Sequence, residues 1–170
     1  FISGSNSTSG NELYMVDLIK NPNKIVPILT DFDSDSYVIE NEGTKLYIVT
    51  NLHAPNKRIV TVDASNPSPE NWVDFIPETN QVLSPSTGGG YFFASYMKDA
   101  ISVVTQYNYE GHSYGEIDLP GIGTANGFGG EKEDTVIYFS FSNYHTPGSI
   151  YTYKPVTKTS ALYWSPEIDF

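Results

Sequence analysis

The 170-residue sequence has no cysteine at all. That absence rules out a disulfide framework, a thiol nucleophile and any Cys-ligated zinc or iron–sulfur centre. Basic residues are scarce too, nine against twenty acidic ones, for a formal net charge of −11. No basic stripe exists to displace counterions from phosphates, so nucleic acid is not an expected partner. No run of 18 apolar residues occurs, which leaves no helical membrane span, and no basic-then-apolar leader is seen. The lack of disulfides suits the cytosol and is compatible with the periplasm, so the compartment stays open between the two.

The sequence is rich in aromatic residues, with 13 tyrosines and 9 phenylalanines within a 39% hydrophobic fraction. At this length that suffices for a core. The 14 glycines and 11 prolines stay below the level of low-complexity disorder. Nearly every apolar stretch is short, rich in Val, Ile, Tyr and Phe, and bounded by Gly, Pro, Asn or Asp. This is the strand-and-turn pattern, and no window holds a 3.6-residue period for more than about two turns. An all-β fold is expected.

The predicted strands recur. One series occupies 37–40, 45–50, 58–63 and 72–77; the next occupies 81–84, 91–96, 101–107 and 115–120. A third occupies 127–130, 136–141, 149–153 and 161–166. Equivalent strands lie 43 or 44 residues apart between the first two series and 46 to 48 apart between the last two. Four strands at this spacing is the period of a β-propeller blade. Two more strands, 12–18 and 24–29, read as the end of a preceding blade. The expectation is therefore a partial β-propeller of about three and a half four-stranded antiparallel blades. Its segments are 1–30 (an incomplete blade), 31–79, 80–121 and 122–170 (the last blade). A closed propeller needs four to eight blades, so half a ring is expected to be missing. Phe1 stands directly before a polar stretch, and Ile168-Asp169-Phe170 follow a predicted strand, so both ends are expected to be cuts. A two-sheet sandwich is the alternative, but it does not predict an internal period.

Three motif matches invite a catalytic or metal reading. Gly111, His112, Ser113, Tyr114 and Gly115 fit the nucleophile-elbow pattern, with Asp134 and His145 following in hydrolase order. The elbow needs a helix after its serine, and a short strand ending in Pro120 follows instead, so a hairpin loop is expected. Asp31, Asp33 and Asp35, with Glu42 at the twelfth position, resemble a calcium loop, but Ser36 stands where glycine is required and no helices flank it. Gly121, Gly123, Gly127, Gly129 and Gly130 hint at a dinucleotide fingerprint. However, Asn126 breaks the register, so crowding of backbones along an inner strand is the expected reason for them. The histidines, His53, His112 and His145, lie in separate predicted loops without metal-ligand spacing. Asn6-Ser7-Thr8 is a lone glycosylation sequon. Neither a cofactor nor a metal is expected. Alternation along strands, as in Tyr91-Phe92-Phe93 and Tyr138-Phe139, assigns the aromatics mainly to packing between sheets.

Beyond these patterns, the stretch YVIENEGTKLYIVTNLHAPNKRIVTVD (37–63) resembles the propeller domain of the prolyl oligopeptidase family. The turn Asn41-Glu42-Gly43, then Thr50-Asn51, His53-Ala54-Pro55 and Asn56-Lys57-Arg58, carries the likeness most closely. VLSPSTGGGYFFASYMKDAISVVTQY and LPGIGTANGFGGEKEDTVIYFSFSNYHTPGSIYTY extend it over nearly the whole chain, most similarly to bacterial members. The resemblance implies a serine endopeptidase that cleaves after proline in short peptides. It also implies an α/β-hydrolase catalytic domain capped by a seven-bladed propeller, of which this chain is the second half. The implied partners are that catalytic domain, the first propeller half and short proline-containing peptides. The catalytic residues belong to the missing domain, so none is carried over. One propeller loop of the family faces the active site, and its equivalent here is residues 3–11. Gly4 stands where some relatives have arginine, and Ser5, Asn6, Ser7 and Thr8 are the expected substrate-facing residues. By itself the segment is expected to be non-catalytic and to self-associate through its uncovered strand-rich faces. The competing reading is a stand-alone propeller-type module that binds a peptide or glycan.

Overall fold

In the computed structural model, which describes residues 1–145 and 147–167, fifteen strands form four separate antiparallel sheets. The end of the expected last segment, 168–170, lies outside the described residues. The chain divides into two compact units, residues 1–82 and residues 83 onward.

The first unit holds two sheets. β1 (Ile2–Gly4), β2 (Glu12–Val16) and β3 (Ile25–Leu29) make a three-stranded sheet in that order. β4 (Ser36–Glu42), β5 (Lys45–Thr50), β6 (Arg58–Asp63) and β7 (Val73–Ile76) make a four-stranded meander. β5 is the central strand of the pattern, a β-branched run buried along almost its whole length. Leu13, Ile28, Leu29, Leu46, Ile48, Val60 and Val62 join the two sheets in one core, with Trp72 packed on its margin.

The second unit repeats the plan. β8 (Ser84–Gly88), β9 (Tyr91–Lys98), β10 (Ile101–Tyr107) and β11 (Ser113–Glu116) form one meander. β12 (Thr124–Gly129), β13 (Ile137–Ser142), β14 (Ser149–Lys154) and β15 (Thr159–Trp164) form the other. On β13 burial alternates strictly, with Ile137, Phe139 and Phe141 inside and Tyr138, Ser140 and Ser142 outside. The inward rings stack. Phe139 lies parallel to Phe128 at 4.5 Å and to Tyr151 at 5.3 Å between centroids. Tyr153 crosses the group edge-on, and its hydroxyl donates to the Gln106 side-chain carbonyl at 2.6 Å. Gln106 in turn donates to the Pro155 carbonyl at 3.1 Å, so a buried amide is satisfied at both ends. The aromatics thus pack between sheets, as alternation predicts.

All-β meanders of four strands are the expected architecture, and four sheets in place of two dispose of the sandwich. Several strand limits differ from the expectation. β8 begins at Ser84 and runs through Pro85, which reads as a turn in sequence. The strand tolerates it because β8 is an edge strand, where an absent N–H costs no ladder bond. β11, β12 and β15 each start two or three residues earlier than predicted. β2 stops at Val16, because the Asp17 carboxylate accepts the N–H groups of Ile19 and Lys20 and turns the chain. The first sheet has three strands where two were expected; β1 is too short to show a period in sequence.

Crowding accounts for part of the glycine cluster: a Cβ on Gly123 would meet the Ser142 carbonyl oxygen and one on Gly130 would lie 2.6 Å from Asp134 Oδ2, whereas Gly129 has nothing within 4 Å. A Cβ on Gly88 would lie 2.8 Å from the Gly130 nitrogen, beside the bond that the Gly130 N–H donates to the Thr87 carbonyl. A bulge at Gly127–Gly129 places Gly127 at φ +121° and Phe128 at φ 62°, which turns the Phe128 ring into the core.

Candidate functional site: the loop between β1 and β2

β1 and β2 form a hairpin with the register Ile2↔Tyr14, Ser3↔Leu13 and Gly4↔Glu12. Its connection is residues 5–11. Ser3 and Gly4, placed in the loop by the sequence reading, are strand residues, because their backbones pair with Leu13 and Glu12.

The far end of the loop is firmly held. Gly10 is buried at φ +80°, and a Cβ there would fall 1.8 Å from the Phe32 carbonyl oxygen, so only glycine fits. Its N–H donates to Asp35 Oδ1 at 2.8 Å. Asn11, 8% exposed, forms the anchor. Its Nδ2 donates to Ser3 Oγ (2.9 Å), the Glu12 carbonyl (3.1 Å) and the Ser36 carbonyl (2.9 Å). Its Oδ1 accepts the Ser36 N–H at 2.7 Å, and its own N–H reaches the Ser34 carbonyl at 2.9 Å. Beneath it, Ser36 and Thr50 share a buried hydroxyl bond of 2.7 Å. Asn51 Oδ1 accepts the Asp35 N–H at 2.7 Å, while Asn51 Nδ2 donates to Asp35 Oδ2 at 3.3 Å. Two asparagines and one aspartate therefore tie the loop to the start of β4 and the end of β5.

The loop overhangs a cleft of about 280 Å³. Ser5, Ser7 and Thr8 line it, together with Ser9, Asp35 and Tyr37. Of the four predicted residues, three therefore gather at one cleft, and Asn6 is exposed in the same loop without lining it. Among the described residues, the Ser5, Ser7 and Thr8 side chains make no hydrogen bond within the protein, so their hydroxyls are uncommitted. Tyr37 is half exposed, and partial burial raises its hydroxyl pKa.

The other motif residues serve their own loops. Ser113 opens β11, its Oγ accepting the Gly115 N–H at 3.2 Å, and strand rather than helix follows. Asp134 Oδ2 accepts the Glu131 N–H at 2.8 Å inside a turn. Asp31 Oδ1 accepts the Asp33 N–H, and Glu42 takes the Tyr47 hydroxyl at 3.3 Å, so the carboxylates of the calcium-like stretch are dispersed. Among the described residues, no three His, Asp or Glu side chains converge as metal ligands would.

Sequence reasoning located the loop but missed what holds it. Asn11 closes the expected loop 3–11, and Asp35 belongs to the calcium-like stretch. The bonds that hold the loop, Asn11 with Ser36 and Gly10 with Asp35, each span 25 residues of chain, and no local spacing announces them.

Comparison with known proteins agrees with the architecture. The model of the prolyl oligopeptidase N-terminal β-propeller domain matches residues 1–166. A prolyl endopeptidase of Elizabethkingia meningoseptica is 48% identical over 169 residues, covering 99% of this chain and 24% of that protein. A solved structure from a study of two prolyl endopeptidases superposes with a TM-score of 0.80 at 27% identity, covering 94% of this chain and 24% of that one. The apo structure of prolyl oligopeptidase B from Galerina marginata gives a TM-score of 0.81 at 24% identity, a likeness of fold, over 96% of this chain and 24% of that one. The chain thus spans about a quarter of the length of the relatives it matches. It belongs to the prolyl oligopeptidase family, as part of the N-terminal β-propeller domain.

Proposed function

We propose that this chain is the access-restricting part of a proline-specific serine endopeptidase and carries no catalytic residue of its own. The family match over residues 1–166 is the observation that carries this reading. Blades set over a hydrolase cleft act by exclusion: short, flexible peptides enter and folded proteins do not. The partners in this reading are an α/β-hydrolase catalytic domain and the remaining blades. Ser5, Asn6, Ser7 and Thr8 form the substrate-facing loop. Three uncommitted hydroxyls on a rigidly anchored loop suit polar or backbone-mediated contact with an extended peptide.

The test is hydrolysis of a proline-containing reporter peptide. The intact protein that carries this sequence should cleave it, and should spare the same sequence embedded in a folded domain. The purified 170-residue chain should release no product, and Ser113→Ala in the intact protein should leave kcat/KM unchanged. Cleavage by the isolated chain that Ser113→Ala abolishes refutes the reading.

A further inference from the structure

Among the described residues, Asp35 is the one charged residue that lines the loop cleft. Along residues 34–37 the chain alternates, with Ser34 and Ser36 buried and Asp35 and Tyr37 exposed. Side chains two apart on an extended strand share a face at about 7 Å spacing. Asp35, one residue before β4, and Tyr37 within it are both exposed and both line the same cleft. Gly10 and Asn51 each donate to one carboxylate oxygen, which fixes its orientation and leaves lone pairs on both oxygens. Among the described residues Asp35 has no ion pair, and no lysine, arginine or histidine lines the cleft.

We infer that this cleft is a subsite for a cationic group of a peptide, an alkylammonium or guanidinium held between the Asp35 carboxylate and the Tyr37 ring. The inference rests on the peptide-handling role proposed above and adds the chemistry that the loop selects. A pre-oriented carboxylate takes N–H donors of a cation as short charge-assisted bonds. An adjacent tyrosine face attracts the same charge. The surrounding serine and threonine hydroxyls fill the remaining donor and acceptor positions, and they carry no charge that would discriminate. Selection therefore falls to Asp35, and a net charge of −11 draws cations in at low salt.

The test is calorimetric binding to the intact protein that carries this sequence. Three otherwise identical short peptides serve as probes: Nα-acetylated with one lysine, Nα-acetylated with glutamine in its place, and the glutamine peptide with a free N-terminus. A cationic peptide should bind about three- to tenfold tighter than the neutral one, the range expected of an exposed ion pair with aromatic contact. Gain by the lysine peptide identifies a side-chain cation, and gain by the free N-terminus identifies the terminal ammonium. The advantage should shrink in high salt. Asp35→Asn keeps an oxygen for the Gly10 N–H and gives up the longer bond from Asn51. It should erase the cationic advantage, so that the three peptides bind alike, and Tyr37→Leu should reduce the advantage in part. Equal affinity for all three peptides in the unaltered protein overturns the inference. So does an Asp35→Asn change that weakens every peptide equally, since Asp35 would then serve the loop anchor alone. Turnover is read separately: a cationic preference without proline cleavage would remove the peptidase reading and keep the subsite.

Discussion

Asn11→Ala probes whether a single buried asparagine sets the loop. The substitution deletes the acceptor of the Ser36 N–H and the donor to the Ser36 carbonyl, and Ser36 is only 3% exposed. Each orphaned buried group costs about 1–3 kcal/mol. The bonds to Ser3 and Glu12 are only part-buried, so water replaces them there at little cost. The expected loss is about 2–6 kcal/mol, large against the ~0.5 kcal/mol typical of surface changes. Trp72 packs on the core of the first unit, and its indole N–H donates to the Pro67 carbonyl at 2.9 Å. Its fluorescence during urea unfolding therefore reports the unit in which the anchor sits. The midpoint should fall by about 1–2 M or more at an m-value of about 1–2 kcal/mol/M. Ser7→Ala, in the same loop but uncommitted, should leave it unmoved. An Asn11→Ala protein within 0.5 kcal/mol of the parent refutes the claim that this network holds the loop.

Gly10→Ala should also destabilise the first unit, by more than about 2 kcal/mol, because φ +80° and the Phe32 carbonyl leave a Cβ no room. Faster proteolytic nicking within residues 5–11 would accompany it, and an unchanged urea midpoint would contradict it. In the second unit, burial holds the Tyr153 hydroxyl pKa well above its ordinary value. The folded value exceeds the unfolded one, so this contribution is complete below about pH 10 and lost as pH climbs through the folded value. Tyr153→Phe should cost about 1–3 kcal/mol at neutral pH by stranding the Gln106 carbonyl, and should flatten the alkaline decline. Urea titrations followed by circular dichroism from pH 8 to 12 measure both. Equal stability and an identical decline would show that the hydroxyl bond contributes nothing.

Fold class was legible in the sequence because it depends on local chemistry. Alternation on 137–142, the β-branched run at 45–50 and the turn residues between them specify strands without reference to distant contacts. The 43-to-48-residue period then gave the meander and its count. Strand limits were less legible. Pro85 and Gly88 are turn residues by composition, yet they lie in a strand, because an edge position and a neighbouring glycine-rich strand accept them.

The site divides along the same line. The loop around Ser5, Ser7 and Thr8 was singled out in the sequence through the family resemblance, and its small polar residues mark it only as a loop. Its shape belongs to the tertiary structure. Gly10, Asn11, Asp35 and Asn51 meet only when β2, β4 and β5 fold together, through hydrogen bonds that reach 25 residues along the chain. The absence of cysteine excludes thiol chemistry in this chain, and the shortage of basic residues sets the expectation that nucleic acid is not a partner. Which of its twenty acidic side chains stands in a cleft beside an exposed tyrosine was decided by packing, because strand alternation sets a face while neighbouring elements determine whether that face is covered.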